Sequence, residues 1–247
     1  MNINEKLCRD DGAEIANATY FRSLVGGLNY LPHTRPYIAF FVGIISRFMH
    51  NPSKLHLGAA KRILRYIAET SERGIWCSKV TNFTLNGLTD SDYAGNIDDR
   101  KSTFNFLFDL ESEIISWRSK KQEVVALSTS EAEYIAPTSV PCQAVWLKRL
   151  VVDFNQKPAG ATEIFCDNRS FIVMTKKPSF HSRTKHINIR YHYIQNLVST
   201  REITLKSCDT NEQAADIFTK SLSQAKHEFF KGQLGVCIFE SRESVEK

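Results

Sequence analysis

A change of period near residue 75 restricts the fold of this chain more than any other feature. Before it, apolar residues return every three or four positions: Leu24, Val25, Leu28 and Leu31 in YFRSLVGGLNYL, then Leu57, Ala60, Ile63, Leu64 and Ile67 along 57–68. Lys61, Arg62 and Arg65 fall on the opposite face of that second stretch, so it reads as an amphipathic helix with a basic outer side. Pro36 suits a helix start, and Asn51-Pro52-Ser53 is a break. After residue 75 the runs shorten and become β-rich: GIWCSK, FTLNGLTDSDYAG, STFNFLFDL, EIISWRSKK and EVVALS, separated by turn residues. A helix from Glu131, the strand TEIFCDN, a short apolar helical piece SFIVMT and a helix over 184–198 follow. EITLKSC then reads as a strand, NEQAADIFTK as a helix, and 221–247 as a short helix with a ragged tail. Consecutive strands followed by β-α-β units predict an α/β fold, a mixed sheet with helices on its faces, preceded by a small helical module.

Composition narrows the setting. With 247 residues, 42% of them hydrophobic and 24% charged, the chain can bury a sizeable core. Its longest apolar run, 37–45, is too short to span a bilayer and is followed by Arg47, so no membrane partner is expected. The opening MNINEKLCRDDGAE is polar and is no secretory signal, which predicts an intracellular protein, cytoplasmic or nuclear. Six scattered cysteines without a CxxC pair favour a reduced chain over a disulfide framework or zinc ribbon. Net charge is only +5, but it is unevenly placed. Eight Lys/Arg face two acids between residues 35 and 79, six face none between 169 and 192, and Asp90, Asp92, Asp98 and Asp99 cluster without a base. Such basic flanks around an acidic focus suit a polyanion held beside a metal site, and equally suit uneven solvated faces.

The acids decide which. In ALSTSEAEYIA (126–136), Ser128 and Glu131 form an S-x-x-E capping box, and Glu133 is left without a capping task. Asp90 ends the strand FTLNGLTD, Asp167 ends TEIFCD, and Asp216 lies in the helix after NEQAA. Acids at the carboxyl ends of strands sit where α/β sheets place ligand chemistry. Four carboxylates gathered together need a cation, and oxygen-only ligands select Mg²⁺ or Mn²⁺. Spacing by itself leaves open the alternative that these are ordinary surface acids.

The motifs LTDSDYAGNIDDRKST, ISWRSKKQEVVALSTSEAEY, IFCDNRSFIVM, FHSRTKHINIRYHYI and NEQAADIFTK together resemble the ribonuclease H region of copia-type retrotransposon Pol polyproteins. The upstream YFRSLVGGLNYL to ILRYI segment resembles the stretch joining reverse transcriptase to that region. The resemblance implies a ribonuclease H-like mixed five-stranded sheet flanked by helices over 75–222. It places a leader at 1–18, a reverse-transcriptase connection or thumb-like helical segment at 19–74, and a C-terminal tail at 223–247. It further implies Asp90, Glu133, Asp167 and Asp216 as catalytic ligands of two Mg²⁺ or Mn²⁺ ions, acting on the RNA strand of an RNA–DNA hybrid. An endonuclease results, with the polymerase portion of a Pol protein as a candidate partner and no polymerase activity in this fragment. Lys120, Lys121, Arg183, Lys185 and Arg190 are candidate contacts to the hybrid backbone or else ordinary surface charge, and Asn168 either orients a phosphate or caps a helix.

Other features bear on activity. Phe104-Asn105-Phe106 stands where the family carries small residues and Gly, which predicts a distorted second strand. Pro137 and Pro141 fall where the family has a continuous helix, so the helix behind Glu133 is expected to be kinked. The alternative function is a degenerate relic that binds nucleic acid without cutting. His181, His186 and His192, spaced five and six apart, read as packing or phosphate-facing residues rather than a zinc trio. Trp117 and Trp146 read as core anchors, and Cys166 and Cys208 as small buried residues on strands.

Overall fold

The computed structural model describes residues 6–79, 81–92, 95–111, 113–122, 139–167, 172, 173, 175, 185–209 and 211–239, with 185–191 as backbone. Ser128, Glu131, Glu133, Pro137, Asn168, His181 and Arg183 lie outside the described residues, as do the side chains of Lys185, His186 and Arg190.

Three helices open the chain: α1 (Ala18–Leu28), α2 (Ala39–Ser46) and α3 (Lys54–Glu69). Asn17 caps α1 by accepting from the Tyr20 amide, and Ser53 with His56 forms a reciprocal capping box at α3. The segment read as a leader is tied to this helix start. Lys54 N–H donates to the Glu14 carbonyl and Ala16 N–H to the Pro52 carbonyl, each at 2.8 Å. Buried His56 stacks on Phe48 with ring centroids 3.8 Å apart.

Among the described residues seven strands follow: β1 (Arg73–Ile75), β2 (Leu85–Ser91), β3 (Thr103–Leu110), β4 (Glu113–Lys121), β5 (Thr162–Cys166), β6 (Ile203–Ser207) and β7 (Val236–Ile238). Five of them form one mixed sheet in the order β4-β3-β2-β5-β6. β3 runs antiparallel to both its neighbours, β2 and β4, whereas β5 lies parallel to both β2 and β6. The other two pair antiparallel in a separate small sheet. The GIWCSK run thus joins the C-terminal end of the chain rather than the main sheet. Later helices are α4 (Val140–Asp153), α5 (Lys185–Ser199) and α6 (Gln224–Gln233).

Alternation along β3 divides the core. Phe106 and Phe108 face α4 and α5, where Val140, Ala144, Leu147, Ile194 and Leu197 bury them. Leu107, with Ile114 on β4, faces the opposite way. It joins a core made of Phe21, Val25, Tyr37, Ile38, Ile45 and Ala60 from the helical module and Ile217, Phe218, Phe230 and Leu234 from the end of the chain. The helical module and the sheet therefore share apolar packing across residue 74. Gly87 makes room within β2, since a Cβ there would stand 2.7 Å from the Phe108 ring.

Three expectations change. The Phe104-Asn105-Phe106 stretch is a regular strand, paired residue for residue with β2. Pro141 sits in the first turn of α4, where its missing N–H costs no helical bond, so it starts a helix instead of breaking one. Trp146 is 54% exposed and is no core anchor, while Trp117 packs on the core shared with the helical module and donates its indole N–H to the Pro32 carbonyl at 2.8 Å.

Candidate active site

Register brings two of the acids side by side. Thr89 on β2 pairs with Cys166 on parallel β5, so Asp90 and Asp167, the next residue on each chain, flank one another at the carboxyl end of the sheet. Asp216 arrives from the other side. NEQAADIFTK does not form the α-helix its pattern predicts; it makes a short 3₁₀ turn, Ala214–Phe218, all of it buried. Its backbone carbonyls are claimed by the sheet: Asn105 Nδ2 donates to the Ala215 carbonyl at 2.7 Å and Ser119 Oγ to the Phe218 carbonyl at 2.6 Å. Carbonyls occupied this way are drawn from an i+4 ladder, which accounts for the tighter turn. Gln213 Nε2 adds a bond to the Thr89 carbonyl at 3.0 Å.

Asn105 is the residue sequence reasoning missed. It is fully buried, and its Oδ1 accepts from the Asp90 amide at 3.2 Å while its Nδ2 holds Ala215. One side chain thus fixes the backbone of two candidate ligands. A polar residue within an aromatic strand run was its only signal. Thr219, just past the turn, donates its hydroxyl to Asp90 Oδ2.

Lys220 stands between the acids. Its Nζ lies 2.8 Å from Asp216 Oδ1 and 3.3 Å from Asp90 Oδ2, and Lys226 Nζ lies 3.4 Å from Asp216 Oδ2. Burial raises the Asp167 carboxyl above the usual carboxylate range, with the Asp90 charge adding to the effect and Lys220 opposing it. Asp216 is raised for the same first cause and is opposed by its bond to Lys220. The three carboxyls thus sense one another's charge at a single locus. Among the described residues, no group of three or more His, Cys, Asp or Glu side chains stands ready to hold a metal ion. The Lys220 ammonium is the cation that Asp90 and Asp216 both engage.

Asp92 has a different task. Its carboxylate accepts from the Thr103 amide, and burial pushes it up to about 6. A Cβ on Gly95 would stand 2.1 Å from Asp92 Oδ2, which explains the glycine of TDSDYAG. The guanidinium of Arg47, from the end of α2, donates to Thr103 Oγ1 at 3.0 Å on the same strand start. Of the expected nucleic-acid contacts, Lys120 is exposed on β4, and Lys121 forms an ion pair with Asp99 at 2.6 Å. Cys166 is buried on β5, whereas Cys208 lies just past β6 and is only partly buried.

A five-stranded mixed sheet of this order, with helices on its faces and acids at the carboxyl ends of its central parallel pair, defines a ribonuclease H-like α/β domain. No family model matches the chain. The Retrovirus-related Pol polyprotein from transposon TNT 1-94 of Nicotiana tabacum is 39% identical over 239 residues, 96% of this chain and 18% of its own length. That from transposon RE1 of Arabidopsis thaliana is 38% identical over 236 residues, 96% of this chain and 16% of its own. Over 96% of its residues the chain is similar to these two retrotransposon Pol polyproteins, and it spans less than a fifth of their length. Among solved structures, LC11-RNase H1, isolated from compost, aligns at a TM-score of 0.41 and 14% identity, covering 55% of this chain and 92% of that one.

Proposed function

We propose that the chain hydrolyses the RNA strand of RNA–DNA hybrids as the ribonuclease H portion of a retrotransposon Pol protein. The observation that carries this reading is the convergence of Asp90, Asp167 and Asp216, from two strand ends and a buried turn, at one edge of the sheet. The donor set fits a hard divalent cation: oxygen-only, largely buried, and already engaging positive charge. Asp90, Asp167 and Asp216, with Glu133, would hold two Mg²⁺ or Mn²⁺ ions. Such ions, when bound, supply Lewis acidity at the scissile phosphodiester. The chain's own part is positional. Asn105 and Thr219 hold Asp90 in place, and Asn105, Gln213 and Ser119 fix the turn that presents Asp216. Lys120, Lys121, Asn168, Arg183, Lys185 and Arg190 would contact the hybrid backbone, which makes binding salt-dependent.

The engagement of Lys220 with both Asp90 and Asp216 favours a second reading, in which the acids are neutralised internally and the domain binds nucleic acid without cutting it. Incubation with an end-labelled RNA–DNA hybrid in Mg²⁺ separates the two. The expected result is internal cleavage of the RNA that disappears in Asp90→Asn and Glu133→Gln. Retention of the hybrid by both wild type and variants, with no product from either, supports the binding-only reading.

A further inference from the structure

The ligand assignment leaves Lys220 without a role. We infer that Lys220 is a displaceable internal counter-cation, which keeps Asp90 and Asp216 together before a divalent ion binds and must leave for that ion to enter. The inference rests on the proposed reading of these acids as a divalent-cation site.

The arrangement is asymmetric in a way that fits displacement. The side chains of Asp90 and Asp216 are 3% and 2% exposed, whereas that of Lys220 is 38% exposed. The acids are fixed from below by the sheet: Asp90 through Asn105 and Thr219, Asp216 through the anchored turn. Among the described residues, the Lys220 ammonium is held by the acids it neutralises, four residues beyond Asp216 on a chain segment leading out to solvent. Its ammonium can therefore depart by side-chain rotation while the carboxylates stay. Two buried carboxylates left without a cation repel one another and carry an uncompensated desolvation cost, so the site needs a tenant in each state. A divalent ion held by these carboxylates would need the same oxygens, and an ammonium at 2.8 and 3.3 Å would exclude it by both charge and contact. Lys220 and the ion are then mutually exclusive ligands of one anionic pocket, and removing one strengthens the other. Lys226 Nζ lies 3.4 Å from Asp216 Oδ2 and so engages the other oxygen of that carboxylate.

The test is a Mn²⁺ titration of the full chain, following free Mn²⁺ by electron paramagnetic resonance. Wild type, Lys220→Met and Lys220→Gln are compared, with Asp90→Asn/Lys220→Met to subtract binding elsewhere. The variants are expected to bind Mn²⁺ on the order of tenfold more tightly than wild type. In EDTA they are expected to melt at a lower temperature than wild type, and to regain more of it on adding Mn²⁺. Equal or weaker binding by both variants, with wild type binding normally, overturns the role given to Lys220 and leaves the cation site standing. If neither wild type nor variants lose Mn²⁺ binding with Asp90→Asn, the cation site itself fails, and the inference with it.

Discussion

Asn105 shows how much a single polar side chain can organise when it is buried with both ends satisfied. Its two bonds run to the Asp90 amide and the Ala215 carbonyl, on segments 125 residues apart if measured from Asp90 to Ala215. Asn105→Ala leaves both groups unpaired in the interior and is expected to cost about 2–4 kcal/mol in urea unfolding. Hybrid cleavage should fall further than this loss of folded protein explains, because both acids lose their anchor. Asp109 contributes to the pH dependence alongside Asp92. It sits on the far part of β3, accepts from Asn86 Nδ2 at 2.9 Å, and burial raises it to about 6. The folded state therefore holds that proton more tightly than the unfolded chain, where a carboxyl titrates near about 4. The stabilisation is complete below that lower value and is lost as pH rises through about 6. Wild type should lose stability across this window, and Asp109→Asn, which keeps an acceptor for Asn86, should show a flatter profile in the same denaturation series.

At the scale of elements, what could be read in the sequence was what local pattern encodes. The period-3.6 runs become α1 to α3, the short alternating runs become β2 to β6, and strand-terminal Asp90 and Asp167 do meet. What escaped the sequence depends on partners far along the chain. NEQAADIFTK has helical spacing, yet Asn105 and Ser119 take its carbonyls, and a buried 3₁₀ turn wins over propensity. β7 is three residues long and offers no period to detect; it exists because Arg73–Ile75 lies beside it. Trp146 looked like an anchor by residue type alone, but the α4 face it occupies points outward. Lys220 drew no attention as one more lysine, since only the fold places its ammonium between two acids.

The whole molecule is bound by a core that crosses the division drawn at residue 74. Phe21, Tyr37 and Ile45 of the helical module pack in the same cluster as Leu107 of the sheet and Phe218 and Phe230 of the chain's end. A buried Lys231 reinforces this junction, donating to Tyr66 Oη at 3.0 Å and to Glu228 at 2.6 Å beneath the Tyr37 and Tyr66 rings. Helical module and sheet should therefore unfold together. Tryptophan fluorescence and far-ultraviolet circular dichroism are expected to give superimposable urea transitions, and a fragment starting at residue 75 should bind a hydrophobic dye where the full chain does not. Two separate transitions would count against a shared core.

That shared core also sets an order of events during synthesis. The apolar faces of α1 to α3 emerge well before Ile217, Phe218, Phe230 and Leu234, which help cover them. At roughly 5–20 residues per second, the ribosome needs on the order of 10–30 s to travel from the end of α3 to Leu234. For that interval the nascent helices carry an unpaired greasy surface, and their apolar packing is completed only when the closing segment arrives.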